Sequence, residues 1–164
     1  MRGYLLGFAA VLVGAATAGY FYAGNLVAPL GRPPTRFPQS VVEVSNGQLG
    51  STLLVEVADT QKRWSRGLAG REAMPLNHGM LYRFPHTIDS SWTAQGYKFP
   101  VSVALLDAQG HILRIFDLDP CPATECPAVQ ARIAYRGVLE VNQGWFRDND
   151  IGVGSSVTMR LKSY

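Results

Sequence analysis

Val41-Val-Glu-Val-Ser-Asn-Gly-Gln-Leu-Gly-Ser-Thr-Leu-Leu-Val-Glu-Val57 is the stretch that decides the fold. Apolar residues alternate with Glu43 and Ser45 on one side of Asn46-Gly47, and residues 51–57 on the other side are alternating or continuously apolar. An Asn-Gly pair between two such runs is a strong short-range hairpin signal, because both residues tolerate the positive φ of a tight turn. The domain therefore begins as β structure.

Downstream, Asp59 is placed to cap a short helix running to about Leu68 and ended by Gly70. On it Trp64 and Leu68, four apart, face the core, and Lys62, Arg63 and Arg66 lie on outer faces. Residues 79–84 and 90–93 read as strands separated by Pro85. Residues 101–107 and 111–118 flank Ala108-Gln-Gly110, a second hairpin with a glycine available for positive φ. Residues 135–141 read as a strand, followed by a helical turn around Trp145 and Phe146. The chain closes on residues 156–161, where Val157, Met159 and Leu161 alternate with Thr158 and Arg160. Seven or eight short strands and two small helices predict a mainly β fold: a compact barrel-like or half-closed antiparallel or mixed sheet.

Upstream the composition changes. From Gly3 to Gly31 there is no charged residue, and residues 4–22 are almost entirely apolar or small. A helix of about 20 such residues crosses the hydrocarbon layer. Tyr4 at one end and Tyr20, Phe21 and Tyr22 at the other stand roughly 24 to 27 Å apart at helical rise, where interfacial aromatic belts belong. The segment admits two readings. As a signal peptide it has Arg2, an apolar core and Ala16-Thr17-Ala18 as a cleavage pattern. As an uncleaved anchor it uses the whole apolar run, which continues past Ala18 through residue 22 and Leu26-Val27, and length favours this. Gly3 and Gly7, with Ala10, Gly14 and Ala18, form small-residue rows that would let a second membrane helix approach closely. The resulting division is residues 1–27 as anchor or signal peptide, 28–40 as a linker stiffened by four prolines, and 41–164 as the β domain.

Net charge is +3, too mild to argue for nucleic acid. The only two cysteines, Cys121 and Cys126, lie in Asp119-Pro-Cys-Pro-Ala-Thr-Glu-Cys-Pro127. A redox or metal pair is one reading, but the gap is wider than the two-residue spacing usual in redox pairs, and two thiolates do not complete a zinc site. The spacing favours a disulfide, which would place the domain outside the cytoplasm.

Gly67-Leu-Ala-Gly-Arg-Glu-Ala-Met-Pro75 followed by Gly79-Met-Leu-Tyr-Arg-Phe-Pro85 resembles the signature of a family known as domain of unknown function 192. Trp92, Pro100 before an apolar strand ending in Asp107-Ala-Gln-Gly110, the Pro-Cys-Pro loop, Val138-Leu-Glu-Val141 and Gly152-Val-Gly154 follow in matching order. The resemblance covers roughly residues 41–161 and implies a compact, mainly β domain, often exported, with no established activity. The chain departs from the pattern at polar places. Family members typically follow the tryptophan with Met-Lys-Asn-Thr, whereas Trp92 is followed by Thr93-Ala94-Gln95-Gly96. Ser102 stands where an aspartate is typical.

Catalytic, cofactor and metal groups are not evident. His78, His86 and His111 lack ligand spacing, and Asp117, Asp119 and Glu125 offer fewer oxygens than a calcium site uses. There is no nucleophile elbow and no phosphate loop or dinucleotide fingerprint. Trp64, Trp92 and Trp145 are expected in the core, and Lys62, Arg63 and Arg66 form a candidate partner surface. The expectation is a non-catalytic accessory or structural subunit of a larger membrane complex, such as a respiratory or photosynthetic electron-transfer complex. It would be anchored in the inner membrane by a single span, N-terminus cytoplasmic and β domain periplasmic, with lipid and other transmembrane subunits as partners. The alternative is a cleaved, free periplasmic small-ligand-binding protein.

Overall fold

The computed structural model describes residues 36–121 and 125–160. The candidate anchor, the small-residue rows at Gly3, Gly7, Ala10, Gly14 and Ala18, and most of the proline linker lie outside the described residues. Among the described residues no helix is long and apolar enough to cross a membrane.

Among the described residues seven strands form one mixed sheet: β1 (Gln39–Ser45), β2 (Gly50–Ala58), β3 (His78–Ile88), β4 (Val101–Leu106), β5 (Ile112–Leu118), β6 (Tyr135–Asn142) and β7 (Ser156–Arg160). Their order across the sheet is β5-β4-β6-β3-β2-β1-β7. All neighbours are antiparallel except β2 and β3, which are parallel. The ends of this row curl toward each other: the Val157 amide donates to the Gly110 carbonyl and the Ile112 amide to the Ser155 carbonyl, each at 2.8 Å. The sheet is therefore a half-barrel, as the strand count and the two hairpins predict. Gly110 is required at this seam, with φ of +91° and room for no Cβ, which would stand 2.4 Å from the Val157 carbonyl oxygen.

Both faces of the sheet are apolar, which is why β4 and β6 read as nearly unbroken hydrophobic runs. Inside the curl, Val42, Val44, Leu53, Val55, Leu81, Leu139, Trp145 and Phe146 make one core. On the outer face Met80, Tyr82, Val103, Val138, Leu68 and Tyr135 make a second, covered by helix α1 (Gln61–Arg66) and by the long connection between β3 and β4. Helix α2 (Trp145–Asp148) plugs the inner core with Trp145 and Phe146.

Four local expectations are corrected. Helix α1 begins at Gln61 and ends at Gly67 rather than Gly70, because Gly67 adopts a positive φ of 44°. Asp59 does not cap it; its carboxylate pairs with Arg63 at 2.5 Å. Strand β3 continues through Pro85 instead of stopping there. Its pairing with β6 jumps from Arg83↔Gly137 to Ile88↔Tyr135, so the intervening residues bulge out and no ladder bond is asked of the proline nitrogen. Arg136 holds the bulge by donating to the Pro85 carbonyl at 2.8 Å. Residues 90–93 form no strand, only an isolated bridge between Trp92 and Val129.

Candidate functional site

Among the described residues the outer core holds one carboxyl side chain. Glu140 on β6 is wholly buried. It lies in a cross-sheet row with Glu56 on β2, Met80 on β3 and Val103 on β4, so its side chain shares the outer face with theirs. Tyr82, two residues beyond Met80 on β3, donates its hydroxyl to Glu140 Oε2 at 2.8 Å. Tyr97, from the connection between β3 and β4, donates to Glu140 Oε1 at 2.9 Å. The two hydroxyls are 3.4 Å apart.

Burial pushes the Glu140 carboxyl up to about 7, against the pull of the two tyrosine hydrogen bonds and of the nearby Arg71 charge. Burial and the neighbouring carboxylate push both phenols well above their ordinary range. The tyrosines therefore stay protonated as donors, and no buried side-chain polar atom among the described residues lacks a partner.

The segment after α1 closes over this cluster. Gly67 sits against the Tyr82 hydroxyl, where a Cβ would stand at 2.5 Å. The Leu68 amide donates to the Tyr97 hydroxyl. The Gly70 amide bonds the Gly96 carbonyl at 2.8 Å, and Arg71 pairs with Glu56 on the row that carries Glu140. Gly67-Leu-Ala-Gly-Arg71 is thus the cover of a buried carboxylate.

Beside the cluster opens a cleft of about 500 Å³. Six aromatic residues line it: Trp64, Tyr82, Phe84, Trp92, Tyr97 and Tyr135. Trp64 and Phe84 rings lie 5.1 Å apart, and Trp92 meets Tyr82 edge-on at 4.9 Å. The walls are fixed by bonds among themselves. Trp92 Nε1 donates to the Tyr135 hydroxyl at 2.7 Å, which in turn donates to the Ser90 carbonyl at 2.9 Å. Trp64 Nε1 donates to the Ala58 carbonyl at 2.9 Å. Volume and apolar lining are those of small-molecule sites.

The residues singled out in the sequence are distributed unequally. Trp145 is core as expected, with Nε1 on Asn77 Oδ1 at 3.2 Å, whereas Trp64 and Trp92 are half-buried cleft walls. Of the basic cluster, Arg66 reaches the cleft, Lys62 is exposed, and Arg63 is held by Asp59 and the Arg36 carbonyl. His86 also lines the cleft; His78 and His111 are occupied by the Leu76 carbonyl and Asp107. Cys121 and Cys126 are joined by a disulfide. Asp117 accepts from Ser102 at 2.5 Å, and among the described residues no three His, Cys, Asp or Glu side chains cluster as a metal site requires.

The departures from the family pattern also find places. Thr93 and Gln95 line the cleft and Ala94 is core. Ser102 is far from being a cleft residue: it is buried, opposite Asp117 in the β4–β5 register, and accepts the Gly144 amide at 2.9 Å. A carboxylate is present there after all, supplied from the neighbouring strand.

Tyr82, Tyr97 and Glu140 were not legible as a site. The available signal was Glu140 itself, a charge within the apolar run Val138-Leu-Glu-Val141, since a buried polar residue is more informative than an exposed apolar one.

The fold is a mixed-sheet half-barrel, here with a buried carboxylate under a Gly-Leu-x-Gly-Arg cover. The chain belongs to the DUF192 family, described as Uncharacterized ACR, whose model matches residues 41–159. Among solved structures, a proposed transcription regulator of Sinorhizobium meliloti 1021 is 22% identical with a TM-score of 0.70, the match covering 77% of this chain and 97% of that one. A protein of unknown function from Novosphingobium aromaticivorans DSM 12444 is 18% identical with a TM-score of 0.69, covering 77% and 89%. At these identities the likeness is one of fold. No curated protein matches the chain.

Proposed function

We propose that the chain is a non-catalytic binding subunit, a β domain held at the extracytoplasmic face of a membrane by its N-terminal segment and working within a larger membrane assembly. The observation that carries the binding role is the preformed aromatic cleft. The donors of its aromatic walls are committed to protein acceptors, and Glu140 lies behind the tyrosines with no exposed surface, which supports a recess that holds a group. The uncharged run of residues 3–31 supports the membrane location, and the pair Cys121 and Cys126 supports an oxidising compartment. Respiratory and photosynthetic electron-transfer complexes are the hosts to test first.

Size analysis of a mild-detergent membrane extract, with sequencing of the mature N-terminus, is the deciding experiment. The expected result is an intact N-terminus and migration well above the mass of the single chain. Migration as a monomer that starts at Gly19 would replace the subunit by a free, exported ligand-binding protein.

A further inference from the structure

We infer that the aromatic cleft takes a flat, ring-bearing organic anion, its rings between the Trp64 and Trp92 walls and its acidic group at Arg66. The inference rests on the binding role proposed above and names the chemistry of what is bound.

The selectivity follows from which polar groups the cleft still has to offer. Five of its six aromatic residues carry an N–H or O–H, and all five are spent inside the protein. Trp64 donates to Ala58, Trp92 to Tyr135, Tyr135 to Ser90, and Tyr82 and Tyr97 both donate to Glu140. The walls therefore present ring surface, which suits a flat apolar body. A charged group on the ligand must find its partner among the other lining residues. Among the described residues these include no Asp or Glu, so a cation would meet ring faces there but no opposite charge. They do include Arg66, exposed and without an ion pair among the described residues, and His86. Lys62, one turn before Arg66 on the exposed part of α1, adds to the positive field. Glu140 does not reverse this sign. It lies behind Tyr82 and Tyr97, does not line the cleft, and has the Arg71 charge near it.

Arg66 is well suited to the task because its planar fork matches a carboxylate or sulfonate, and its position at the end of α1 is fixed by the turn at Gly67. A cleft of about 500 Å³ accommodates a two-ring body.

Isothermal titration of the full chain in mild detergent, against a protein-free blank, tests this with three probes of one shape: 2-naphthoate, 2-naphthalenemethanol and 2-naphthylmethylammonium. The expected order places the naphthoate about tenfold tighter than the alcohol, the alcohol tighter than the ammonium. Arg66→Gln, an exposed change that leaves the core untouched, should bring the naphthoate down to the level of the alcohol without altering the alcohol. Trp64→Phe should weaken all three alike. Equal binding of the three probes, or preference for the ammonium, overturns the anion assignment while the binding role stands. A naphthoate affinity unchanged in Arg66→Gln overturns it as well. Absence of binding by any probe overturns both.

Discussion

Tyr82 and Glu140, 58 residues apart in the chain, meet at 2.8 Å between the phenol oxygen and Oε2, in a part of the outer core from which water is excluded. This contact couples strand β3 to strand β6 through a side chain whose charge depends on pH.

Glu140 carries its proton up to about pH 7 in the folded chain, against an ordinary value of 4.5. A carboxyl raised in the folded state binds more protons there than in the unfolded state. Its stabilising effect is complete below about 4.5 and is lost as pH rises through 7, a change on the order of 3 kcal/mol. Urea unfolding of wild type and Glu140→Gln at pH 5 and pH 8 isolates this group. The variant should lack the fall, and the difference between the two proteins should change sign or shrink across that interval.

Gly67→Ala should cost about 2–3 kcal/mol, because the new methyl meets the Tyr82 hydroxyl at 2.5 Å and φ is positive there. Removing that hydroxyl relieves half of the conflict. In a double-mutant cycle by thermal unfolding, Tyr82→Phe should therefore recover part of the loss, and strict additivity would show that backbone strain alone is responsible.

Ser102→Ala leaves Asp117 and the Gly144 amide without their partner and should destabilise by about 1–3 kcal/mol. Ser102→Asp alone sets two carboxylates against each other across the β4–β5 register. Pairing it with Asp117→Ser moves the acid to the strand where the family resemblance expects it, and chemical denaturation should show most of the stability restored.

Replacing Cys121 and Cys126 by serine opens a short loop and should lower stability by roughly 2 kcal/mol in the chain-entropy model. Alkylation of the unfolded chain without reductant should add no label to either sulfur. Two labels would mean that the thiols are free.

The elements that could be read in advance were those whose signals are local. Asn46-Gly47 and Gly110 mark their hairpins because the turn geometry is written in adjacent residues, and both glycines take φ of +91°. Pro85 misled because its effect on a strand depends on whether a partner asks for its nitrogen, and the bulge opposite β6 removes that demand. The end of α1 falls at Gly67, which lies against the Tyr82 hydroxyl 15 residues further along the chain, a neighbour that no local spacing announces. The carboxylate cluster draws on β3, β6 and the loop before β4, so no spacing rule could assemble it. Ser102 looked like a lost charge because its acid comes from a different strand.

The excursion of β3 between Arg83 and Ile88 has a consequence for how this fold can diversify. Phe84, Pro85, His86 and Ile88 all contribute to the recess, yet the ladder is pinned on both sides of them, at Gly137 and at Tyr135. Residues can be inserted, deleted or exchanged in that excursion while the pairings on either side keep their register. The frame and the lining of the recess are therefore heritable separately, and a relative could reshape the recess by editing a handful of codons.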